Sequence, residues 1–138
     1  MNDLTPILIA EDSDDDFFYF RRALRAAQVE NPVLRFRDGS ELIRFLESLP
    51  PEDYTSAGPS WLLFVDLTMP IMNGFDVLLW LKSWKHAEKM RAIVLSGSHR
   101  EDDVKRSLGL GAIDHLVKPI SPAVLGAIVM DTVKPLHA

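Results

Sequence analysis

Residues 7–16 read ILIAEDSDDD, four apolar residues followed by five carboxylates in six positions. The apolar run is short and uninterrupted, which is typical of a strand that is buried on both faces of a parallel sheet. Carboxylates crowded at the end of such a strand repel one another unless a cation or a helix dipole lies close to them. The stretch therefore predicts an α/β fold with an acidic centre at a strand end.

The rest of the chain alternates further strand patterns with segments of helical spacing. Short apolar runs predict strands at 61–65, 92–95 and 113–117, and alternating apolar and basic residues predict an edge strand at 33–37. Helical stripes lie at 17–27, 42–49, 75–84, 104–108 and 123–133. The order βαβαβαβαβα predicts a five-stranded, doubly wound parallel sheet. Residues 50–60, PPEDYTSAGPS, are predicted to form a surface loop.

Length and composition narrow the possible classes of function. The 138 residues carry a net charge of −5 and no cysteine, and they suit one domain over residues 1–138 with a core at roughly 5–133. An acidic chain is a poor non-specific binder of nucleic acid. No apolar run approaches the ~18 residues of a membrane span, and no signal peptide is evident. We therefore expect a soluble, cytoplasmic protein.

Reactive side chains follow four of the predicted strands: Glu11, Asp12, Asp66, Ser96 and Lys118. Each has an ordinary structural explanation when it is taken alone, since acids cap helices, serines satisfy turns and lysines are solvated. In a parallel sheet, however, all five lie at the carboxyl edge, where ligands bind. Three carboxylates without cysteine form an oxygen-ligand site suited to Mg²⁺. A lysine and a serine beside them can contact phosphate, so the set predicts phosphoryl transfer with Asp66 as nucleophile.

Four short motifs reinforce this interpretation: DLTMP at 66–70, NG at 73–74, VLSGS at 94–98 and VKPI at 117–120. Together with the acidic pair after the first strand, they resemble the response-regulator receiver domain, over roughly residues 5–133. Each motif is weak singly, but their order and spacing are highly specific. The resemblance implies a flavodoxin-like fold and a signalling module of two-component systems, phosphorylated by a sensor histidine kinase, rather than an enzyme.

The resemblance also implies a role for each site residue. Asp66 is the expected phosphoacceptor, and Glu11, Asp12, Asp66 and the backbone carbonyl of Thr68 are the expected Mg²⁺ ligands. Ser96 is the expected switch hydroxyl, and Lys118 the expected phosphate-binding lysine.

A fainter likeness concerns the type of regulator. The acidic stretch, the long 50–60 segment and DGSELIRFL at 38–46 resemble stand-alone regulators that partner phytochrome-type histidine kinases. No segment remains for an output domain, so we expect a single-domain regulator.

His115 departs from the family pattern. The family usually carries an aromatic residue three positions before the lysine, and its ring turns inward on activation. Histidine is smaller, polar and titratable near neutral pH. Both a modified switch and a polar edge residue without a switching role fit the sequence.

The remaining acidic residues are expected to start the first helix. Ser13 is predicted to cap it, with Asp14, Asp15 and Asp16 in its first turn, where each favourable dipole interaction contributes ~0.3–1 kcal/mol. Asp15 and Asp16 are predicted to have only this structural role.

The last helix suggests an interface. AVLGAIVM at 123–130 is apolar around its whole circumference, whereas a surface helix keeps a polar side. We therefore expect a homodimer through the face formed by the fourth helix, the fifth strand and the last helix. The alternative is a monomer whose last helix is covered by the sheet and its neighbours.

Two other functions remain open from the sequence. A Mg²⁺-dependent phosphohydrolase would also use an aspartyl phosphate, but such enzymes often keep a second carboxylate two residues after the nucleophile, where Thr68 stands. A receiver-like module that binds partners without phosphate is disfavoured by the complete set of acidic, serine and lysine residues.

Overall fold

The chain folds into alternating strands and helices in the computed structural model, which describes residues 5–49, 61–98 and 100–132. The strands are β1 (Ile7–Ala10), β2 (Val33–Phe36), β3 (Trp61–Asp66), β4 (Met90–Ser96) and β5 (Asp114–Val117). The helices are α1 (Asp14–Ala26), α2 (Gly39–Ser48), α3 (Gly74–Ser83), α4 (Glu101–Gly109) and α5 (Pro122–Thr132), with a 3-10 turn at Ala87–Lys89. The predicted 50–60 loop and the predicted end of the last helix at Val133 lie outside the described residues.

All strand pairs are parallel, and the order across the sheet is β2-β1-β3-β4-β5. The predicted fold class is therefore confirmed, including the edge position of β2. The chain moves outward from β1 to β2 and then crosses to the other side of β1 to form β3. This reversal opens a crevice beyond the carboxyl ends of β1 and β3, which is where ligands bind in sheets of this kind.

Helices cover both faces of the sheet and divide the core into two layers. On one face, Leu8 and Leu63 pack with Leu42 of α2 and Leu78 of α3. On the other face, Ile9 packs against α1 and α5 in a layer that includes Phe20, Phe64 and Leu125. Full burial of each such side chain contributes roughly 1.5–3 kcal/mol. Burial on both faces explains why the central strands are continuous apolar runs.

The fifth strand differs from its prediction. The apolar run at 113–117 was expected to be buried, but β5 begins at Asp114 and pairs only with β4 among the described strands. As an edge strand, it exposes Asp114 and Val117 and only half-buries His115. The polar residues within the run are consistent with this edge position.

The first three helices begin at side-chain caps that the sequence indicates, whereas Arg100 at the start of α4 makes no side-chain cap hydrogen bond. Ser13 Oγ accepts a hydrogen bond from the Asp16 N–H at 3.2 Å, which confirms the predicted cap of α1. Asn73 and Asp76 form a reciprocal capping box at the start of α3. None of the helices in the described parts of the chain is long and apolar enough to cross a membrane.

The glycine of the NG motif allows α3 to start close against the end of β3. A Cβ on Gly74 would lie 2.6 Å from the carbonyl oxygen of Asp66 and 2.8 Å from Leu67 Cα. Because both atoms belong to the backbone, Gly74→Ala must displace the β3–α3 connection. We expect a loss of about 1–3 kcal/mol in the free energy of unfolding, measured with urea.

The matched control for this substitution is Gly109→Ala. A Cβ on Gly109 would meet no atom within 4 Å outside its own helix backbone, and helical alanine is favoured over glycine. We expect this variant to be as stable as the parent chain or more stable. Equal stabilities for the two alanine variants would contradict the close-approach explanation.

Candidate functional site

Three carboxylates meet beyond the ends of β1 and β3. Glu11 is buried and Asp12 is exposed just after β1, whereas Asp66 is the buried last residue of β3. Each offers one oxygen, and these oxygens all lie within 4.8 Å of one another. The parallel pairing of β1 with β3 produces this convergence, because it brings their carboxyl ends to the same edge.

Both oxygens of Asp66 have donors close by. The Thr68 N–H donates to Oδ1 at 3.2 Å, and the Lys118 Nζ lies 3.3 Å from Oδ2. Lys118 follows β5 and reaches back across the edge of the sheet. The predicted nucleophile and the predicted phosphate-binding lysine are thus adjacent, and Thr68 contacts Asp66 through its backbone.

Lys118 also binds two other carboxylates. Its Nζ donates to Glu11 Oε1 at 2.6 Å and to Asp16 Oδ2 at 2.8 Å. Burial alone would lower the pKa of the ammonium, but the bonds to Asp16 and Glu11 and the charge of Asp66 outweigh it, so the pKa is raised above its ordinary value. The lysine is therefore positively charged throughout the physiological range.

Asp16 has a contact beyond the helix-start role predicted for it. Its N–H engages the Ser13 cap, as expected of a first-turn residue, but its carboxylate belongs to the Lys118 cluster. The helical spacing of Asp16 indicated that its side chain faces inward. Asp16 lies one turn before Phe20, which is buried against the sheet, so both residues share the inward face of α1.

The charges in this cluster do not balance. Lys118 pairs with Glu11, Asp16 and Asp66, and Asp12 adjoins two of them, so four carboxyl groups gather around one ammonium. Burial, followed by a hydrogen bond with Asp66, raises the pKa of Glu11 from 4.5 to about 7, although Lys118 opposes the rise. A set of close oxygen ligands with excess negative charge suits a hard divalent cation. Glu11, Asp12 and Asp66 are the residues that fit it.

Ser96 completes the predicted set from the neighbouring strand. It is the last residue of β4 and is buried, and its Oγ accepts a hydrogen bond from the Ser98 N–H at 3.1 Å. Its carbonyl accepts from the Lys118 N–H at 2.8 Å, which ties the end of β4 to the start of the β5–α5 loop. The structure therefore brings all of the sequence-predicted residues to one edge of the sheet.

His115 is held between α4 and the loop that precedes it. Its Nδ1 lies 3.2 Å from the hydroxyl of Ser107, and its Nε2 lies 3.3 Å from the carbonyl oxygen of Ser98. Ser107 is fully buried, and its hydroxyl oxygen also lies 2.8 Å from the Asp103 carbonyl oxygen. The ring is therefore fixed by hydrogen bonds at a position where the family usually carries an aromatic side chain.

Comparison with known families identifies the chain. The family model for the response regulator receiver domain matches residues 7–130, which include the whole acidic site. This chain belongs to that family. It is thus a receiver domain of two-component systems, and the predicted family is confirmed.

Individual relatives of the receiver domain include response regulators of similar size. Response regulator Rcp1 of Synechocystis sp. is 30% identical over 112 residues, which cover 81% of this chain and 75% of that protein. The crystal structure of its Mn²⁺-bound form has a TM-score of 0.74 at 25% identity, covering 94% of this chain and 95% of that one. The bacteriophytochrome response regulator AtBRR has a TM-score of 0.76 at 27% identity, with 97% of both chains covered.

A longer relative matches this chain over only part of its own length. The probable cyclic di-GMP phosphodiesterase of Vibrio cholerae is 30% identical over 127 residues. The match covers 91% of this chain but only 26% of that protein. The receiver domain thus corresponds to about a quarter of its length.

Proposed function

We propose that this receiver domain accepts a phosphoryl group on Asp66 from a histidine kinase, in a reaction that requires Mg²⁺. One observation carries the proposal: the buried Asp66 carboxylate lies 3.3 Å from Lys118 and shares an acidic cluster with Glu11 and Asp12. An isolated structural ion pair does not need two further carboxylates. A site that binds a cation and an incoming phosphate requires these additional carboxylates.

Several residues of the chain have separate roles in the phosphoryl transfer. An oxygen of Asp66 attacks phosphorus while the bond from phosphorus to the donor's imidazole nitrogen breaks, which leaves an acyl phosphate on Asp66 and a free imidazole on the donor. Lys118 exchanges carboxylate contacts for a phosphate oxygen, and the Ser96 hydroxyl can donate to another. When bound by Glu11, Asp12, Asp66 and the Thr68 carbonyl, Mg²⁺ offsets the repulsion between the carboxylates and the anionic donor.

A pocket lies beside the lysine end of this site, although Asp66 is not among the residues that line it. An open pocket of about 440 Å³ adjoins the cluster, with Glu11, Asp16 and Lys118 at its polar end. Apolar side chains of α1 and the β5–α5 loop, including Tyr19 and Ile120, form its other wall. This end of the cluster is therefore open to solvent at Lys118.

The relatives support a more specific assignment. Rcp1 is a response regulator with a Mn²⁺-bound form, and AtBRR is a bacteriophytochrome response regulator. By analogy, the donor is a phytochrome-type histidine kinase, and the domain acts in the cytoplasm as a single receiver unit over residues 5–133. We propose a signalling role without catalytic turnover.

Incubation with a small phosphodonor and Mg²⁺, followed by intact mass measurement, tests the proposal. We expect one phosphoryl adduct that depends on Mg²⁺ and whose amount plateaus at one per chain. Continuous donor hydrolysis without an accumulating adduct would indicate a phosphohydrolase. Absence of both adduct and turnover would indicate a phosphate-independent module. Either of these results would overturn the proposed function.

Exposed apolar residues also support a homodimer. Five of the nine large apolar side chains that the described residues expose lie on or beside α4, β5 and α5: Leu108, Ile113, Val117, Val124 and Met130. Only Leu125 and Val129 of α5 are buried, so the sheet and its neighbours cover one side of this helix and leave the other exposed. An apolar surface of this kind favours self-association. A hydroxyl shift at Ser96 on phosphorylation would reach this face through the β4–α4 loop and α4.

Met130→Glu tests this interface, because Met130 is 74% exposed and the substitution leaves the core intact. Sedimentation of phosphodonor-treated protein is expected to show a dimer for the parent chain and a monomer for the variant. Leu79→Glu is the control, since Leu79 is an exposed residue on α3. A substitution at Val129 would not test the interface, because this side chain is only 5% exposed and belongs to the core. A parent chain that stays monomeric with and without phosphodonor would contradict the dimer.

A further inference from the structure

A single arginine of β2 spans the loop that carries the acidic pair. Arg35 Nε donates to the Glu11 carbonyl oxygen at 3.0 Å, and its Nη1 lies 2.8 Å from Asp14 Oδ1. Its guanidinium also stacks over the Phe17 ring, 4.7 Å from the centroid. The arginine thus contacts the loop at its β1 end and at the start of α1, on both sides of Asp12.

These contacts fix the backbone on which the acidic pair is mounted. The Glu11 N–H donates to the Phe36 carbonyl at 2.9 Å, while the Glu11 carbonyl accepts from Arg35, so β2 holds both main-chain polar groups of Glu11. The Glu11 carbonyl and the Asp12 N–H belong to one planar peptide unit. The bond from Arg35 therefore also sets the direction in which Asp12 leaves the backbone.

The loop needs such a restraint because its side chains repel those of β3. The carboxylate oxygens of Glu11, Asp12 and Asp66 gather within 4.8 Å. Like charges at this distance favour an outward movement of the loop when no cation is bound. Lys118 contacts Glu11 and Asp66, but it forms no ion pair with the more exposed Asp12.

We propose that Arg35 is a positioning residue of the metal site, holding Glu11 and Asp12 in the arrangement that a divalent cation requires. The inference rests on the proposed function, because it assigns a residue to the cation site described there. Groups that orient metal ligands typically change metal affinity by about 10–100-fold when they are removed. Arg35 fits that role because it contacts the ligand backbone and lies outside the ligand set.

A purely stabilising role explains the arginine less well. Its side chain is only 15% exposed, and among the described residues its Nη2 is the buried side-chain polar atom without a hydrogen-bond partner. An unpartnered buried donor opposes folding, which an apolar residue at this strand position would avoid. The arginine is better explained by what its other nitrogens hold in place.

The neighbouring Arg37 provides a matched control. Its Nη1 also pairs with Asp14 Oδ1, at 3.0 Å, but its side chain is 60% exposed and no contact joins it to Glu11. If the arginines acted only through their charge, removing either one would strengthen cation binding, because each places a positive charge near the cation site. If Arg35 positions the metal ligands, its removal weakens cation binding, whereas removal of Arg37 does not. The direction of the change in affinity therefore distinguishes a positioning role from a purely electrostatic one.

Calorimetric titration with MgCl₂ tests the inference on the full chain, with Arg35→Gln, Arg35→Lys and Arg37→Gln compared. We expect both Arg35 variants to bind Mg²⁺ at least about tenfold more weakly than the parent chain. Lysine keeps the charge, but its single ammonium group cannot contact the Glu11 carbonyl and Asp14 at the same time as the planar guanidinium does. Arg37→Gln is expected to bind as tightly as the parent or slightly more tightly. Circular dichroism and cooperative urea unfolding check the fold, and Arg35→Lys decides alone if Arg35→Gln does not fold.

Two outcomes overturn the inference in distinguishable ways. If a folded Arg35 variant binds Mg²⁺ as tightly as the parent chain while Asp12→Ala loses binding, Arg35 is not a positioning residue and the proposed metal site stands. If the parent chain and Asp12→Ala bind Mg²⁺ equally, the proposed site itself fails, and this inference fails with it. Loss of affinity in both Arg35 variants, with normal affinity in Arg37→Gln, supports the inference.

Discussion

The Asp66→Asn variant is expected to fold like the parent chain and to take up no phosphoryl group. Asparagine has nearly the same shape, and its one side-chain oxygen can still accept from the Thr68 N–H. The amide nitrogen replaces the oxygen that faces Lys118, which keeps its bonds to Glu11 and Asp16. The amide is not a nucleophile for phosphorus, and it also removes one of the charges that crowd the site. We expect the phosphodonor-dependent mass increase to disappear completely, while the free energy of unfolding stays equal to that of the parent or rises.

The control for this prediction is Asp102→Asn, which changes an exposed first-turn aspartate of α4 by the same chemistry. This variant is expected to be phosphorylated like the parent chain. Peptide mapping of the parent adduct locates the modified residue independently. A phosphoryl adduct on Asp66→Asn would show that another carboxylate accepts the group, and it would overturn the assignment.

Without metal, the protein is expected to lose stability as the pH rises from about 4.5 to about 7. The sign follows from the Glu11 carboxyl, whose pKa is raised from 4.5 to about 7 by burial and by Asp66. In this window the folded chain retains a proton that the unfolded chain releases, so each step upward in pH favours unfolding. The loss is on the order of 3 kcal/mol and is complete above the folded pKa.

Urea unfolding across this pH range measures the effect. Glu11→Gln is expected to flatten the profile, because the amide does not titrate, whereas Glu30→Gln at an exposed position leaves it unchanged. The pKa values of Asp14 and Asp38 are lowered, so the stability that these groups add is lost only at more acidic pH. Mg²⁺ at about 100 times its Kd is expected to restore about 2.7 kcal/mol at the upper end. A parent chain that gains stability with rising pH would contradict the raised pKa.

Local sequence patterns were sufficient for most of the sheet. β1, β3 and β4 are buried on both faces, and this burial requires the uninterrupted apolar runs that predicted them. The β5 run was misjudged because an apolar run does not show how many neighbouring strands will cover it. Its edge position depends on the strand order, which is a long-range property of the chain.

The sequence predicted those residues of the candidate site that end a strand or directly follow one. Glu11, Asp66 and Lys118 directly follow or end strand patterns, so their convergence follows from parallel pairing. Asp16 and Arg35 were missed because they lie inside a helix and a strand, where a charged residue usually faces solvent. Their roles depend on which face of each element is turned inward, and that becomes certain only when the elements are packed together.

The separation of the site residues along the chain has a consequence for folding kinetics. Lys118 and Glu11 are in hydrogen-bond contact although they are 107 positions apart, and the acidic pair meets Asp66 only when β1 and β3 are paired. Contacts of such high sequence separation form late and slowly. A cation at this edge therefore binds a nearly complete native state and slows unfolding more than it accelerates folding. Native-state hydrogen exchange should show this as added Mg²⁺ protecting the amides of β1 and β3 together, as one cooperative unit.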